Sequence, residues 1–349
     1  MFKKLTVFLA AAVILLSSCV SDTSWVLKNG DATVSSGVYL GFLVQTELNE
    51  LSEHNAQSVS DLMKMTIHEM KAADYITDQA LILSKNYIAI EKKFDELGLS
   101  LTEDDLAEVD SMVATYKSYY GPYFSDNGCG DNSLKDLIEN NIKMEKIFFH
   151  LYDENGEKAV SDADKRAFFK DNYSRIQYIA VPLVDTSTGS ALTGDKLTAA
   201  QNTATSYYDK AKAGEDFISL LNAYAKESGD TKTEYKAELQ ENGLTNADIL
   251  ISKENTDYPE AITTAVFEMA VGDIRKVTTD DGCYIIKKLE LNESEKTYEY
   301  YKESLLTEMR SEEFTELQNE WKDAFEYEIN NASVKRYHPK KLKFETASY

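Results

Sequence analysis

The side chains that usually carry chemistry are few here and badly spaced for it. The four histidines are His54, His68, His150 and His338. His54 and His68 stand 14 residues apart, and none of the four has the His-x-x-x-His spacing that puts two imidazoles on one helix face for a metal. No Cys-x-x-Cys pair and no glycine-rich phosphate loop occurs. The paired carboxylates Asp104-Asp105 and Glu312-Glu313 fall in helical patterns and read as solvated faces. No metal and no cofactor is therefore expected. Three cysteines, Cys19, Cys129 and Cys283, cannot build a disulfide scaffold. Cys129 and Cys283 read as unpaired, although an oxidising compartment leaves a bridge open.

Cys19 is the exception, because its chemistry comes from its neighbours. Lys3 and Lys4 precede the apolar run from Leu5 to Leu16, and Leu16-Ser17-Ser18-Cys19 follows. The run is too short for a membrane span, which takes ~20 apolar residues, and has the length of a signal-peptide core. Leu-Ser-Ser-Cys in that register looks like a bacterial lipobox, whose cysteine is lipidated and becomes the mature N-terminus. Acyl chains there would tether the protein at about 0.8 kcal/mol per buried methylene. The expected place is outside the cytoplasmic membrane, on its outer face.

Composition narrows the classes of partner. The 349 residues carry 37 Lys+Arg against 60 Asp+Glu, a net charge of −23. Removing the signal peptide takes away two lysines and no acid, so the mature chain is more acidic still. Such a chain repels nucleic-acid phosphates rather than releasing their counterions. The 22 Tyr and 14 Phe supply both a core and aromatic surface.

Hydrophobic spacing then places the elements. Residues 25–34 read as an extended piece turning at Asn29-Gly30-Asp31, and Gly37 to Leu51 as a helix. Apolar steps of three and four from Leu62 to Phe94 predict one long helix over 60–97, stopped by Gly98. Thr102 with Asp105 resembles a capping box, opening a helix that ends at Gly121-Pro122. Leu134 to Leu151 forms the next helix, and Ser161 with Asp164 caps a short one ending near Asn172. The pattern changes at Arg175. A strand from Ile176 to Leu183 precedes two helices parted by Gly214, an unassigned polar stretch over 227–257, and a short helix from Pro259 to Met269. A hairpin of Ile274–Thr278 and Cys283–Leu291 closes this compact α+β region. Residues 294–330 return to helix. Their stripe of Tyr298, Leu305, Phe314, Trp321, Phe325 and Ile329 needs a partner, and the N-terminal helices are the expected one. The basic residues between Lys335 and Lys343 read as a solvated tail, with an anionic surface as the alternative.

The segment from Gln177 to Glu290 resembles a parvulin-type peptidyl-prolyl isomerase domain. The resemblance rests on an ordered series of segments. It begins with Ile176-Gln177-Tyr178-Ile179-Ala180-Val181, Ala211-Lys212-Ala213-Gly214-Glu215-Asp216-Phe217 and Ala225-Lys226-Glu227-Ser228. It continues through Ala265-Val266-Phe267-Glu268-Met269, Gly272-Asp273-Ile274 and Asp281-Gly282-Cys283-Tyr284-Ile285-Ile286-Lys287. With the flanking helices and the lipobox, most of the mature chain looks like the PrsA and SurA foldases. The family usually carries a histidine in its first strand and another in its last. Tyr178 and Tyr284 stand at those positions, and no histidine lies between 150 and 338. The family's Gly-Asp-Leu-Gly segment is also replaced, by the stretch around Glu238-Leu239-Gln240-Glu241. Asp230 matches the site that holds Asp or Cys, Ile262 a pocket Phe, and Thr279 a polar pocket position.

Prolyl isomerisation breaks no bond; it lowers a rotation barrier of about 18–20 kcal/mol set by amide resonance, by binding the twisted amide better than either planar form. Tyrosine both donates and accepts, so Tyr178 and Tyr284 either rebuild part of the family's network with Asp230 or are ordinary strand residues. The resemblance implies an α+β multidomain protein, with a helical chaperone lobe built from both chain ends and an inserted parvulin-like domain. The expected boundaries are a signal peptide over 1–18, a tether over 19–24, a helical region over 25–173, the parvulin-like domain over 174–291 and a returning helix with basic tail over 292–349. The implied function is a membrane-anchored folding factor whose helical lobe cradles unfolded secreted polypeptides and whose parvulin-like domain, with a degenerate catalytic site, adds a second peptide-binding surface. The alternatives are an active isomerase, and a structural or solute-binding surface lipoprotein. Whether the chain forms a homodimer stays open.

Overall fold

The computed structural model describes residues 24–344 except 231, 255, 292 and 293. The signal peptide and Cys19 lie outside the described residues. Two compact units emerge, one drawn from Met1–Lys158 and Ser311–Tyr349, the other from Ala159–Arg310. The protein is α+β and multidomain, with both chain ends contributing to the first unit. The sequence boundaries were 173/174 and 291/292; the units divide instead at 158/159 and 310/311.

In the first unit, β1 (Trp25–Asn29) and β2 (Ala32–Ser35) form a hairpin whose turn needs Gly30 at φ +59°. Ser35 then caps α1 (Ser36–Glu53), accepting from the Val38 amide at 3.1 Å. Tyr39, Leu40, Leu43 and Val44 of α1 are buried in the core. The long helix expected over 60–97 is instead three elements and a turn. A single helical turn, α2 (Val59–Leu62), leads to a hairpin of β3 (Thr66–Ile67) and β4 (Met70–Lys71), and only then to α3 (Ala72–Glu96). His68 and Glu69 both take positive φ, 47° and 67°, which breaks the helix. Leu62 and Ile67 are nevertheless buried, so the apolar spacing was real but a hairpin carries it.

The Thr102–Asp105 box opens α4 (Glu103–Ser125) as expected. This helix runs through Pro122 rather than ending there. Proline forfeits one amide bond near the C-terminus, and burial of Phe124 holds the last turn. With α5 (Asp131–Tyr152), these helices pack mainly as α1 on α3 and α4 on α5. The second half of a long later helix, α10 (Glu295–Asp323), joins them: Phe314 meets Phe148 edge-on at 5.2 Å and Trp321 at 5.9 Å. The helix stops at Asp323, so Phe325 and Ile329 do not extend its stripe. Residues Glu328–Ile329 form β9, which pairs with β1 to give the sheet order β2-β1-β9. The basic segment also differs from a solvated tail. It forms α11 (Asn331–Arg336) and a 3-10 turn (Pro339–Lys341), and it buries Leu342. Asn127 and Lys343 exchange two hydrogen bonds, at 2.7 and 3.0 Å. Its cations stay exposed while its backbone docks.

In the second unit, α6 (Asp162–Asn172) leads into β5 (Tyr173–Pro182), the long central strand. There follow α7 (Gly194–Lys212), α8 (Phe217–Ser228), β6 (Ile249–Ser252), α9 (Glu260–Glu268), β7 (Ile274–Thr278) and β8 (Gly282–Leu289). The sheet order is β6-β5-β8-β7, antiparallel throughout. Alternation sorts its two faces. Ile179, Val181, Cys283 and Ile285 join the residues of α7 and α8, while Ile176 and Ile286 join Ile262, Val266 and Met269 of and beside α9. Each buried aliphatic side chain there contributes about 1.5–3 kcal/mol. Phe169, Leu291, Tyr298 and Leu305 form a further cluster, which ties α6 and the start of α10 to this unit and moves its limits outward.

Candidate functional site

Strand register brings the two candidate tyrosines together. Tyr178 on β5 pairs with Ile286 on β8, and Ala180 pairs with Tyr284, so the tyrosines are diagonal neighbours on one face. Their ring centroids are 5.8 Å apart, and Tyr258 stands edge-on to Tyr178 at 5.9 Å. Burial first, and Tyr258 second, push the Tyr178 phenol well above its ordinary range. The Tyr284 hydroxyl donates to Asp281 at 2.9 Å, and the Thr279 hydroxyl donates to the same carboxylate. The Thr279 hydroxyl also holds Asp281 down, more than Tyr284 does. Tyr284 in turn is pushed up to about 12, by burial first and then by Asp281. Both tyrosines are therefore neutral donors at physiological pH, with no imidazole beside them.

Beside this cluster lies a cleft of about 370 Å³ at the edge of β5. Tyr178, Tyr224, Ser228, Asp230, Tyr235 and Asn246 are among its walls. The wall that carries Tyr235 belongs to the stretch that sequence periodicity left unassigned, and polar side chains hold it. Asn222 bonds the Tyr235 amide and carbonyl at 2.8 and 2.9 Å, and Asn246 bonds the Lys236 amide at 2.8 Å and the Glu234 carbonyl at 2.7 Å. A buried ion pair fixes the end of that stretch: Arg175 Nη2 meets Asp248 Oδ2 at 2.6 Å, the side chains being 3% and 0% exposed. Gln177 and the Thr245 amide fill further acceptor sites of Asp248 at 2.8 and 2.7 Å.

Asp230 lines the cleft, but its Oδ1 accepts from the Lys232 and Thr233 amides at 2.9 and 3.1 Å. Thr233 and these turn amides hold its carboxyl below the ordinary range. Ile262 is 1% exposed in the cluster under α9 and is a core residue away from the cleft walls. Thus Tyr178 and Tyr284 meet, Thr279 reaches Tyr284 through Asp281, Asp230 shares a cleft with Tyr178, and Ile262 lies in the buried cluster against which Tyr178, Tyr258 and Tyr284 pack, without lining the cleft. Sequence reasoning missed Asp281, Tyr224, Tyr235 and Tyr258. The Asp281-Gly282 turn signalled the first; nothing local signalled the others. Among the described residues no cluster of His, Cys, Asp and Glu could hold a metal ion.

The first unit has its own cleft of about 420 Å³, lined by Leu48, Tyr116, Tyr120, Phe124, Leu137 and Ile138 among others. Tyr119 on the same helix is 73% exposed. Among the described residues no helix is long and apolar enough to cross a membrane.

No protein-family model matches the chain, and no curated protein matches it by sequence. Solved structures do. The likeness is to PrsA foldases. The chain is 22% identical to foldase protein PrsA from Streptococcus pneumoniae, over 78% of this chain and 87% of that one, with a TM-score of 0.36. PrsA from Lactococcus lactis is 12% identical over 90% and 99% of the two chains, with a TM-score of 0.39. PrsA from Bacillus subtilis is 19% identical over 93% and 95%, with a TM-score of 0.27.

Proposed function

We propose that this chain is a folding factor, lipid-anchored through Cys19 at the outer face of a bacterial cytoplasmic membrane, that binds unfolded secreted polypeptides. The tyrosine-walled cleft of the second unit carries this reading. It is open, and it combines ring faces with a few polar groups. Such walls suit transient contact with extended chain, because aromatic surface gives large contact area for little side-chain entropy. The exposed tyrosines of α4 add a second surface of the same kind. The test is aggregation of an unfolded secreted reporter at low chaperone excess. Aggregation should be suppressed; equal aggregation with and without the chain removes the proposal. For the anchor, Cys19→Ala should release the protein from the membrane fraction into the medium.

A second reading, prolyl isomerisation, is favoured by one observation: Thr279, Asp281 and Tyr284 form a connected hydrogen-bond chain next to Tyr178. Exchange rates in X-Pro peptides separate the two. Acceleration that Tyr284→Phe abolishes supports the enzyme, and background rates across the panel leave a binding module.

A further inference from the structure

The walls of the second unit's cleft have a composition that selects among peptides. Three tyrosines, Tyr178, Tyr224 and Tyr235, line it, together with apolar Leu221, Ala225 and Ile249. Asp230 is the single ionisable carboxylate among the lining residues, and no lysine or arginine is among them. Carboxylate influence reaches two of these tyrosines. Beyond burial, Asp230 raises the Tyr235 phenol and Glu227 raises that of Tyr224. The Lys232 amide serves the turn at Asp230, and the Lys232 charge is the weakest influence on that carboxyl. A neutral apolar residue would fill such a cleft without using the charge of its exposed carboxylate. A cation on a methylene stem would match both parts, since ring faces attract cations and the stem covers apolar wall.

We propose that this cleft takes the side chain of a lysine or arginine from an extended client segment, its charge toward Asp230 and its stem among Tyr178, Tyr224 and Tyr235. The inference rests on the reading of the cleft as a peptide-binding surface and adds the residue class it prefers. It places selectivity in a charge-bearing residue of the client rather than in a proline ring.

The test is fluorescence anisotropy with the full chain and labelled peptides that differ at one central position, bearing Lys, Arg, norleucine, Gln or Glu. Lys and Arg peptides should bind at least about fivefold more tightly than the norleucine peptide, as expected for a cation–ring contact beside an exposed carboxylate. Asp230→Asn should remove that preference, since asparagine loses the charge but keeps the Oδ1 acceptor for the turn amides. Tyr235→Leu, which leaves the backbone bonds to Asn222 in place, should weaken the preference independently. Equal binding of all five peptides overturns the inference and leaves the peptide-binding reading intact. A lysine preference that survives both substitutions places the cation elsewhere and also overturns it. If no peptide binds, both the inference and the reading beneath it fail.

Discussion

Glu47 is fully buried on α1, and neither of its carboxyl oxygens has a hydrogen-bond partner. Burial alone pushes its carboxyl up to about 8. An unfolded glutamate titrates near about 4.3, so the folded chain holds a proton that the unfolded chain loses between those values. The stability this contributes is complete below the unfolded value and is lost as pH rises through the folded one. The loss is on the order of a few kcal/mol. Urea midpoints of the wild type should therefore fall between pH 5 and 9 more steeply than those of Glu47→Gln, which keeps the volume and cannot ionise. Parallel pH profiles would show that Glu47 finds a partner in solution. The same logic distinguishes the tyrosines of the cleft: burial raises the phenols of Tyr178, Tyr224 and Tyr235 further above neutrality, so peptide binding should not change between pH 6 and 8 on their account.

At the scale of elements, the second unit depends on one buried charge pair to hold β6 and the stretch before it against β5. Asp248→Ala removes the fully buried carboxylate that pairs with Arg175 and accepts from Gln177 and Thr245, which costs about 3–5 kcal/mol. That loss should appear in the denaturant unfolding of residues 159–310 while the first unit's transition stays in place. A single shifted transition for the whole chain would mean the two units unfold together. This pair also marks where sequence reading stops. Helix caps such as Ser35, Thr102 and Ser161 were legible because donor and acceptor are three residues apart. The strands flanking Asp281-Gly282 were legible because a turn and an alternation coincide. β6 was not, since Asp248 finds Arg175 across 73 positions and the local pattern is merely polar. The β3–β4 hairpin was hidden by non-glycine residues at positive φ, and β9 by a partner at the other end of the chain. The tyrosine pair was legible through the family resemblance; the cleft beside it was not, because the side chains of Asn222 and Asn246 hold its wall from 10 to 13 positions away.

At the scale of the whole molecule, the net charge of −23 acts at a range the cleft cannot reach. A field from many exposed carboxylates speeds the approach of cationic chains, and salt screens it with a Debye length of about 10 Å at 0.1 M. A contact at Asp230, an exposed carboxylate on the cleft wall, is short-range and acts after arrival. The two effects therefore separate kinetically. Stopped-flow association of a cationic unfolded client should slow by about tenfold or more as salt rises from low to physiological ionic strength. Association of a neutral client of similar length should barely change. Asp230→Asn should leave that salt-dependent association rate in place and raise the dissociation rate, because one charge in sixty scarcely alters the field yet removes the local partner. If the substitution slowed association and left dissociation untouched, the cleft would be one more patch of the acidic surface. If it raised dissociation alone, capture by the field and selection by the cleft would be two successive steps in how this protein holds a client.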